Sequence, residues 1–340
     1  MLYLEALIAL LIILICAEIF TNGIEVFGEE LSLSQAVVGS ILAAVGTALP
    51  ETLIPLVAIL LYKGKAGSEI GIGAILGAPF MLITAGFFLV SLGVTLGSLL
   101  KRRSFTLHLE TNTFKRDFIF FLISYSLAIF IPVLFPQYQI LHFFIALLLL
   151  VNYLLYLYLT FRAESLEVEA YKDLYLEKIL SFIKIKLSKK GLIALAFIQS
   201  ILALIVMIKG AHLFVHAIEG ISKEWGLSPL LFALIVAPVA TELPEKFNSL
   251  LWTLRGKDVL ALGNMTGALV FQSTFPVSIG LIFTPWKIEG LAFISALIAL
   301  SLGLFYLLFL NFFKKIPPLL LWLSGICYII YVVLVISTIF

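Results

Sequence analysis

LSLSQAVVGSILAAVGTALPETL at residues 31–53 and WGLSPLLFALIVAPVATELPEKF at 225–247 are two versions of one pattern. At an offset of 194 residues, Leu33, Ser34, Val45, Thr47, Leu49, Pro50 and Glu51 match Leu227, Ser228, Val239, Thr241, Leu243, Pro244 and Glu245. Apolar composition alone does not supply Thr-x-Leu-Pro-Glu twice. The stretches that follow also correspond: GIGAILGAPFMLITAG at 71–86 and ALGNMTGALVFQSTFP at 261–276 align Gly73 and Gly77 with Gly263 and Gly267, across a loop four residues shorter in the second copy. A duplicated motif of this length has to be explained before any fold is assigned.

The setting of both copies is apolar. Of 340 residues 62% are hydrophobic and 12% charged, about half the charge of soluble domains, which excludes a water-soluble globule. Apolar runs near 6–27, 36–61, 70–98, 118–135, 140–161, 191–217, 228–254, 259–282, 288–311 and 317–339 predict ten transmembrane helices. The runs are continuous, without the alternation of barrel strands. MLYLEALIALLIILICAEIF at the start has Glu5 and no basic residue ahead of its apolar run. It therefore reads as a first span rather than a cleaved signal. Cys16 and Cys327 lie inside apolar runs and read as ordinary small side chains, not as a disulfide.

The two motif copies fall in the second and seventh spans. Five spans apart, they cross in opposite directions, which predicts an all-α protein of two inverted five-helix repeats, 1–161 and 191–340, joined by a linker at 162–190. Sixteen Lys and Arg fall in the loops after the odd-numbered spans and four in the opposite set. Basic loops stay cytoplasmic, so both termini are expected on the extracytoplasmic side of a prokaryotic inner membrane. The linker, free of Pro and Gly and mixed in charge, reads as a solvated or amphipathic helical connection or as a regulatory element. The net charge of +2 gives no reason to expect nucleic acid, and no obligatory protein partner is evident.

Inside a bilayer the repeated motif has specific chemistry. A mid-helix proline withholds a donor from the carbonyl four residues earlier, so Pro50 is expected to free the carbonyl of Gly46 and Pro244 that of Ala240. Thr47 with Glu51, and Thr241 with Glu245, share a helical face one turn apart. Two such helices meeting at the midplane would gather carboxylates, hydroxyls and carbonyls into an all-oxygen cage suited to a hard cation such as calcium. Gly73 and Gly77, like their counterparts, serve close helix packing or approach of the backbone to an ion.

These residues resemble the calcium/cation antiporter superfamily, in particular the membrane region of sodium/calcium exchangers, with its two inverted repeats of Gly-Thr-Ser-Leu-Pro-Glu followed by Gly-Asn-x-x-Gly-Ser-Asn. The resemblance spans the 5+5 layout and is sharpest at 46–51, 240–245 and 263–267. It implies alternating access, with a pair like spans one and six sliding over an ion-binding core. It also implies Thr47, Glu51, Thr241 and Glu245 as calcium ligands, and export of Ca2+ against Na+, K+ or H+; cargo ions and lipid are the partners, with no cofactor.

The chain also departs from that pattern. Ala48 and Glu242 replace the motif serine; Ala74, Ala78 and Pro79 replace polar residues of the first half; Leu82 and Gln272 occupy a position usually Asn or Asp. The first half thus loses accessory oxygens, while Glu242 adds an intramembrane carboxylate and a further candidate ligand. Lys246, one turn on, either pairs with Glu242 or occupies or gates a monovalent-ion position. Glu18, Asn22 and Glu25 on the first span fall opposite His212, His216 and Glu219 on the sixth at the same offset, two polar stripes that could line an ion path. The histidines are either solvated, or a metal clamp or proton relay.

Expelling a divalent ion against ~100 mV costs about 4.6 kcal/mol before its gradient is counted, so the number of coupling sites matters. The expected function is exchange of Ca2+ for Na+ or another monovalent cation, with a proton-coupled divalent exchanger or a transport-inactive, sensory homologue as alternatives. Enzyme motifs of the His-Glu-x-x-His, Gly-x-Ser-x-Gly and P-loop types are absent from the sequence.

Overall fold

The computed structural model describes residues 1–31, 48–62, 64–163, 174–177 and 188–338, side chains at 161–163 and 243–245 excepted. Within these residues the chain is all-helical. Helix α1 (Leu2–Glu30) is followed by α2 (Leu49–Val57), which ends in a π turn at Ala58–Tyr62. Next, α3 (Gly64–Met81) runs through a second π turn, Leu82–Gly86, into α4 (Phe87–Leu99). Then come α5 (Thr111–Leu134) and α6 (Gln139–Ala163), completing the first half. The second half holds α7 (Lys189–Glu224), α8 (Pro229–Leu254), α9 (Asp258–Gln272), α10 (Phe275–Phe283), α11 (Gly290–Phe313) and, after a 3-10 turn, α12 (Trp322–Ile336). Among the described residues, eight helical stretches are long and apolar enough to cross a membrane, and Leu49–Tyr62 and Pro229–Glu242 are shorter apolar helices. Cys16 and Cys327 are free thiols.

Helix starts follow local chemistry. Ser228 caps α8 by accepting from Leu231 N at 3.2 Å, with Pro229 in the first turn. Ser188 does the same for α7 through Gly191 N at 3.3 Å. Both satisfy donors the helix itself cannot. Glu110 caps α5 through Asn112 and Thr113; the Thr113 hydrogen bond holds its carboxyl below the usual range.

Helices α1 and α7 form a peripheral antiparallel pair, fixed by contacts at both ends. His216 Nδ1 lies 2.9 Å from Glu5 Oε1, and Gln199 Nε2 donates to Asn22 Oδ1 at 3.0 Å. The offset that aligns the repeated motifs maps Glu5 onto Gln199 and Asn22 onto His216, so the two contacts are images of one another. Leu7, Leu11, Ile15, Phe197, Ile201 and Ile205 face outward from the pair, as lipid-facing side chains do. The sixth span is longer than its apolar run suggests: 36 residues rise about 54 Å at ~1.5 Å each, well beyond the ~30 Å hydrocarbon core.

The centre is built on α3 and α8. Gly73 and Gly77 of α3 lie directly on the α8 backbone; a Cβ at Gly73 would sit 2.2 Å from the Leu230 carbonyl oxygen, and one at Gly77 2.0 Å from that of Leu234. Pro238, one turn beyond Leu234, has no N–H to offer that carbonyl, and its ring also borders Gly77. Close packing is therefore the role these two glycines play. Deeper in the bundle, Phe87 stacks on Tyr306 at 5.5 Å, and the Tyr306 hydroxyl meets Ser324 at 2.5 Å.

Pro244 does not break α8, which runs without interruption from Pro229 to Leu254, although the Ala240 carbonyl still lacks that proline's donor. Pro50 stands in the first turn of α2, and Gly46 lies outside the described residues. Irregularities that match between the two halves lie one span later. The π turn at Leu82–Gly86 and the break between Gln272 and Phe275 occupy equivalent places in the register that pairs Gly73 with Gly263. At both, a buried threonine hydroxyl bonds the carbonyl four residues back: Thr84 to Phe80 at 2.5 Å, Thr274 to Val270 at 2.7 Å. That back-bonding competes with the helical ladder and bends helices. Each proline removes one helical bond only, and at Pro238 the freed Leu234 carbonyl is covered by α3 at Gly77, as neighbouring helices do for broken ladders in membranes.

The loops sort onto two faces. At one, Arg103 reaches Asp258 across the loops that follow α4 and α8, and Ser91 bonds the Pro318 carbonyl at 2.7 Å. At the other, the Trp225 indole donates to Tyr3 at 2.7 Å and Tyr62 bonds Glu219. The basic loops after the third and seventh spans therefore share a face.

Candidate cation-binding site

Four members of the expected cage can be placed. Glu51 is buried in the first turn of α2, and Thr241 and Glu242 are buried in α8, against which α2 packs. Gln272 is buried as the last residue of α9, at the break. Gly46 and Thr47 lie outside the described residues. Glu245 falls on α8, but its side chain is also outside them, as are those of Leu243 and Pro244. Among the described residues, no three His, Cys, Asp or Glu side chains converge closely enough to hold a metal.

Thr241 gives its hydroxyl proton to the Ala237 carbonyl at 3.1 Å, leaving oxygen lone pairs available to a cation. In the first half a different carbonyl is in question from the one expected. Pro55 lies inside α2 and cannot donate to the carbonyl of Glu51, so the residue that carries the carboxylate also lacks that helical bond.

The charged pair is the sharpest feature of the site. Lys246 Nζ lies 3.7 Å from Glu242 Oε2, one helical turn apart, with side-chain exposures of 1% and 2%. The first half has Ala48 and Thr52 at the matching positions, and there the Thr52 hydroxyl bonds the Ala48 carbonyl at 2.9 Å. A one-turn link is thus kept in both halves, uncharged in α2 and ionic in α8.

The polar stripes of spans one and six have other company. Glu18 accepts from the Tyr175 hydroxyl at 2.7 Å, which pushes that phenol up to about 12. Asn22 accepts from the Tyr175 backbone N–H at 3.1 Å, and Gln199 from that of Leu176 at 3.0 Å. Leu174 is buried among Val26 and Ala196. A turn of the linker is thereby fastened to the α1–α7 pair. At the opposite end Glu219 binds Lys223 at 2.6 Å as well as Tyr62, and the His212 ring lies 5.4 Å from that of Tyr62. Tyr62 and Glu219 also line a cavity of about 470 Å³ with Gly64, Lys65, Ala66 and Glu69.

Two buried carboxylates were missed from sequence. Asp117, in the first two turns of α5, accepts from Thr266 at 2.5 Å and pairs with Arg116 at 3.2 Å; the Arg116 guanidinium lies over the Tyr156 ring. Thr266 belongs to the Gly263–Gly267 stretch, so this cluster anchors α9 to the scaffold. Asp258 is held by Arg103, with Arg103 Nη2 at 2.7 Å, and by the His108 backbone N–H at 2.9 Å. Both aspartates sit at the edges of apolar runs, where a carboxylate looks like loop. Thr84 and Thr274, by contrast, stood in matching columns of the repeat and could have been read from it.

The family model for "sodium/calcium exchanger protein" matches residues 2–162 and 195–340. The chain belongs to the sodium/calcium exchanger family. It is a multi-pass membrane cation/calcium antiporter of that family, not an enzyme. The putative antiporter CaxA of Alkalimonas amylolytica is 26% identical over 286 residues, covering 84% of this chain and 82% of its own. Among solved exchanger-family structures, the H+/Ca2+ exchanger CAX superposes with a TM-score of 0.73 at 18% identity, over 99% of this chain and 84% of that one. The sodium-calcium exchanger NCX_Mj superposes at 0.56 and 19% identity, over 98% and 99%. At these identities the two likenesses establish the fold.

Proposed function

We propose that this family member exchanges Ca2+ for a monovalent cation by alternating access, sodium in the first reading, with Thr47, Glu51, Thr241, Glu245 and Gln272 as oxygen ligands. The observation that carries the reading is Glu51: a carboxylate buried in the core of an apolar bundle, at the start of a helix that packs on the second copy of its own motif. Such a group is costly at membrane depth and marks an ion pathway. The ten spans act as two inverted five-helix repeats, 1–161 and 191–340, with 162–190 between them. The mirrored Glu5–His216 and Asn22–Gln199 contacts support that plan. Both termini face away from the cytoplasm of a prokaryotic inner membrane, an assignment supported by the basic loops that share one face.

A second reading, proton coupling, is favoured by the first half. Ala48, Ala78 and Leu82 offer no side-chain oxygen for sodium, and one of the structures the chain resembles is named an H+/Ca2+ exchanger. Radioactive Ca2+ uptake into proteoliposomes under imposed sodium, potassium or proton gradients decides between them. Sodium-driven uptake supports the first reading and proton-driven uptake the second. Absence of gradient-driven uptake under all three contradicts both.

A further inference from the structure

Glu242 and Lys246 stand at the two positions where the copies of the motif differ in charge, and both are buried. A buried ammonium persists when a carboxylate neutralises it. The matching Ala48 and Thr52 show that the helix needs neither charge at these positions. The two charges arrive together and cancel, so each copy of the Leu-Pro-Glu motif keeps the same net formal charge, that of Glu51 in the first and Glu245 in the second. An ammonium is itself a monovalent cation of roughly the size and charge of the ions an antiporter exchanges, and here it is covalently held 3.7 Å from a carboxylate in the motif.

We propose that Lys246 is a tethered cation that occupies Glu242 in place of a mobile monovalent ion, and so sets how many monovalent ions the exchanger couples to Ca2+. Glu242 is then the partner of Lys246 rather than a calcium ligand. The proposal rests on the cation site described under Proposed function, and deepens it by assigning the residue that fixes its ion specificity.

The test is isotopic Ca2+/Ca2+ exchange by the full chain in proteoliposomes at fixed pH, with Na+, K+ or choline as the bulk cation. Wild type sets the reference ratio between the rate in Na+ or K+ and that in choline, whereas Lys246→Thr exposes the Glu242 carboxylate to a mobile cation and should raise that ratio about tenfold. The double variant Glu242→Ala with Lys246→Thr copies the first half, keeps the net charge, and should return to the wild-type ratio. Should Lys246→Thr fail to fold, the double variant decides alone: Ca2+ exchange with the wild-type ratio supports the proposal. Lys246→Thr with wild-type cation dependence overturns it, as does a double variant that has lost exchange as completely as Glu51→Gln. Absence of exchange in wild type overturns the underlying cation site and this assignment with it, whereas failure in the variants alone overturns only this assignment.

Discussion

The first half of the molecule carries its motif with one buried carboxylate in α2 and an uncharged Thr52–Ala48 link; the second carries the same motif with a buried ion pair in α8. Their backbones keep matched features, since the irregularity at Leu82–Gly86 is answered by the one after Gln272, each with its threonine bond. Backbone symmetry has therefore outlasted side-chain symmetry. Packing tolerates exchange of one buried side chain for another far better than a change in where a helix bends, whereas the charge within the motif is free to be redistributed so long as it balances.

The comparison can be broken most forcefully at its charged side. Glu242→Gln removes the carboxylate that lies 3.7 Å from the buried Lys246 ammonium and should lower stability by about 3–5 kcal/mol. Thr52→Val, at the position equivalent to Lys246, should cost no more than about 1 kcal/mol. Thermal unfolding of the detergent-solubilised protein measures both, and equal shifts would mean that the ion pair is not the asymmetric element described. The next effect is steric. Gly77→Ala drives a Cβ into the Leu234 carbonyl of α8 and should cost about 1–3 kcal/mol, with a matching drop in unfolding temperature. An unchanged temperature would show that α3 and α8 can separate at no cost.

The smallest test contrasts the mirrored contacts of α1 and α7. Asn22 is buried and accepts from both Gln199 and Tyr175, so Asn22→Ala should cost about 1–3 kcal/mol. It should also loosen the linker, read as faster amide exchange at Tyr175. His216 is exposed at the equivalent position, its side chain 55% accessible. Loss of its contact with Glu5 in His216→Gln should stay within about 1 kcal/mol.

What was legible in the sequence follows from what physics writes locally. The apolar helices were readable because hydrocarbon demands continuous apolar runs. That α8 runs unbroken through Pro244 was not readable from the sequence. Whether a proline interrupts a helix depends on what covers the freed carbonyl, and that is decided by neighbours such as Gly77 beside Pro238. Thr84 and Thr274 held the information, but a threonine in an apolar run shows only in the fold that its hydroxyl turns back onto the chain. Glu18 and Asn22 illustrate the converse. Their spacing marked a polar stripe, while the Tyr175 that meets them lies 153 residues from Asn22, a distance periodicity cannot bridge. The Glu242–Lys246 pair was legible as a spacing; only the fold shows that it is buried.

The central claim is that the two Leu-Pro-Glu motifs form one cation site. Equilibrium binding of radioactive Ca2+ to the purified full chain tests it, with Glu51→Gln and Glu245→Gln measured beside wild type. If the site is shared as proposed, each substitution removes one of its two carboxylate charges and should weaken binding by at least about tenfold in either half. Wild-type affinity in both variants would contradict a site shared between the repeats.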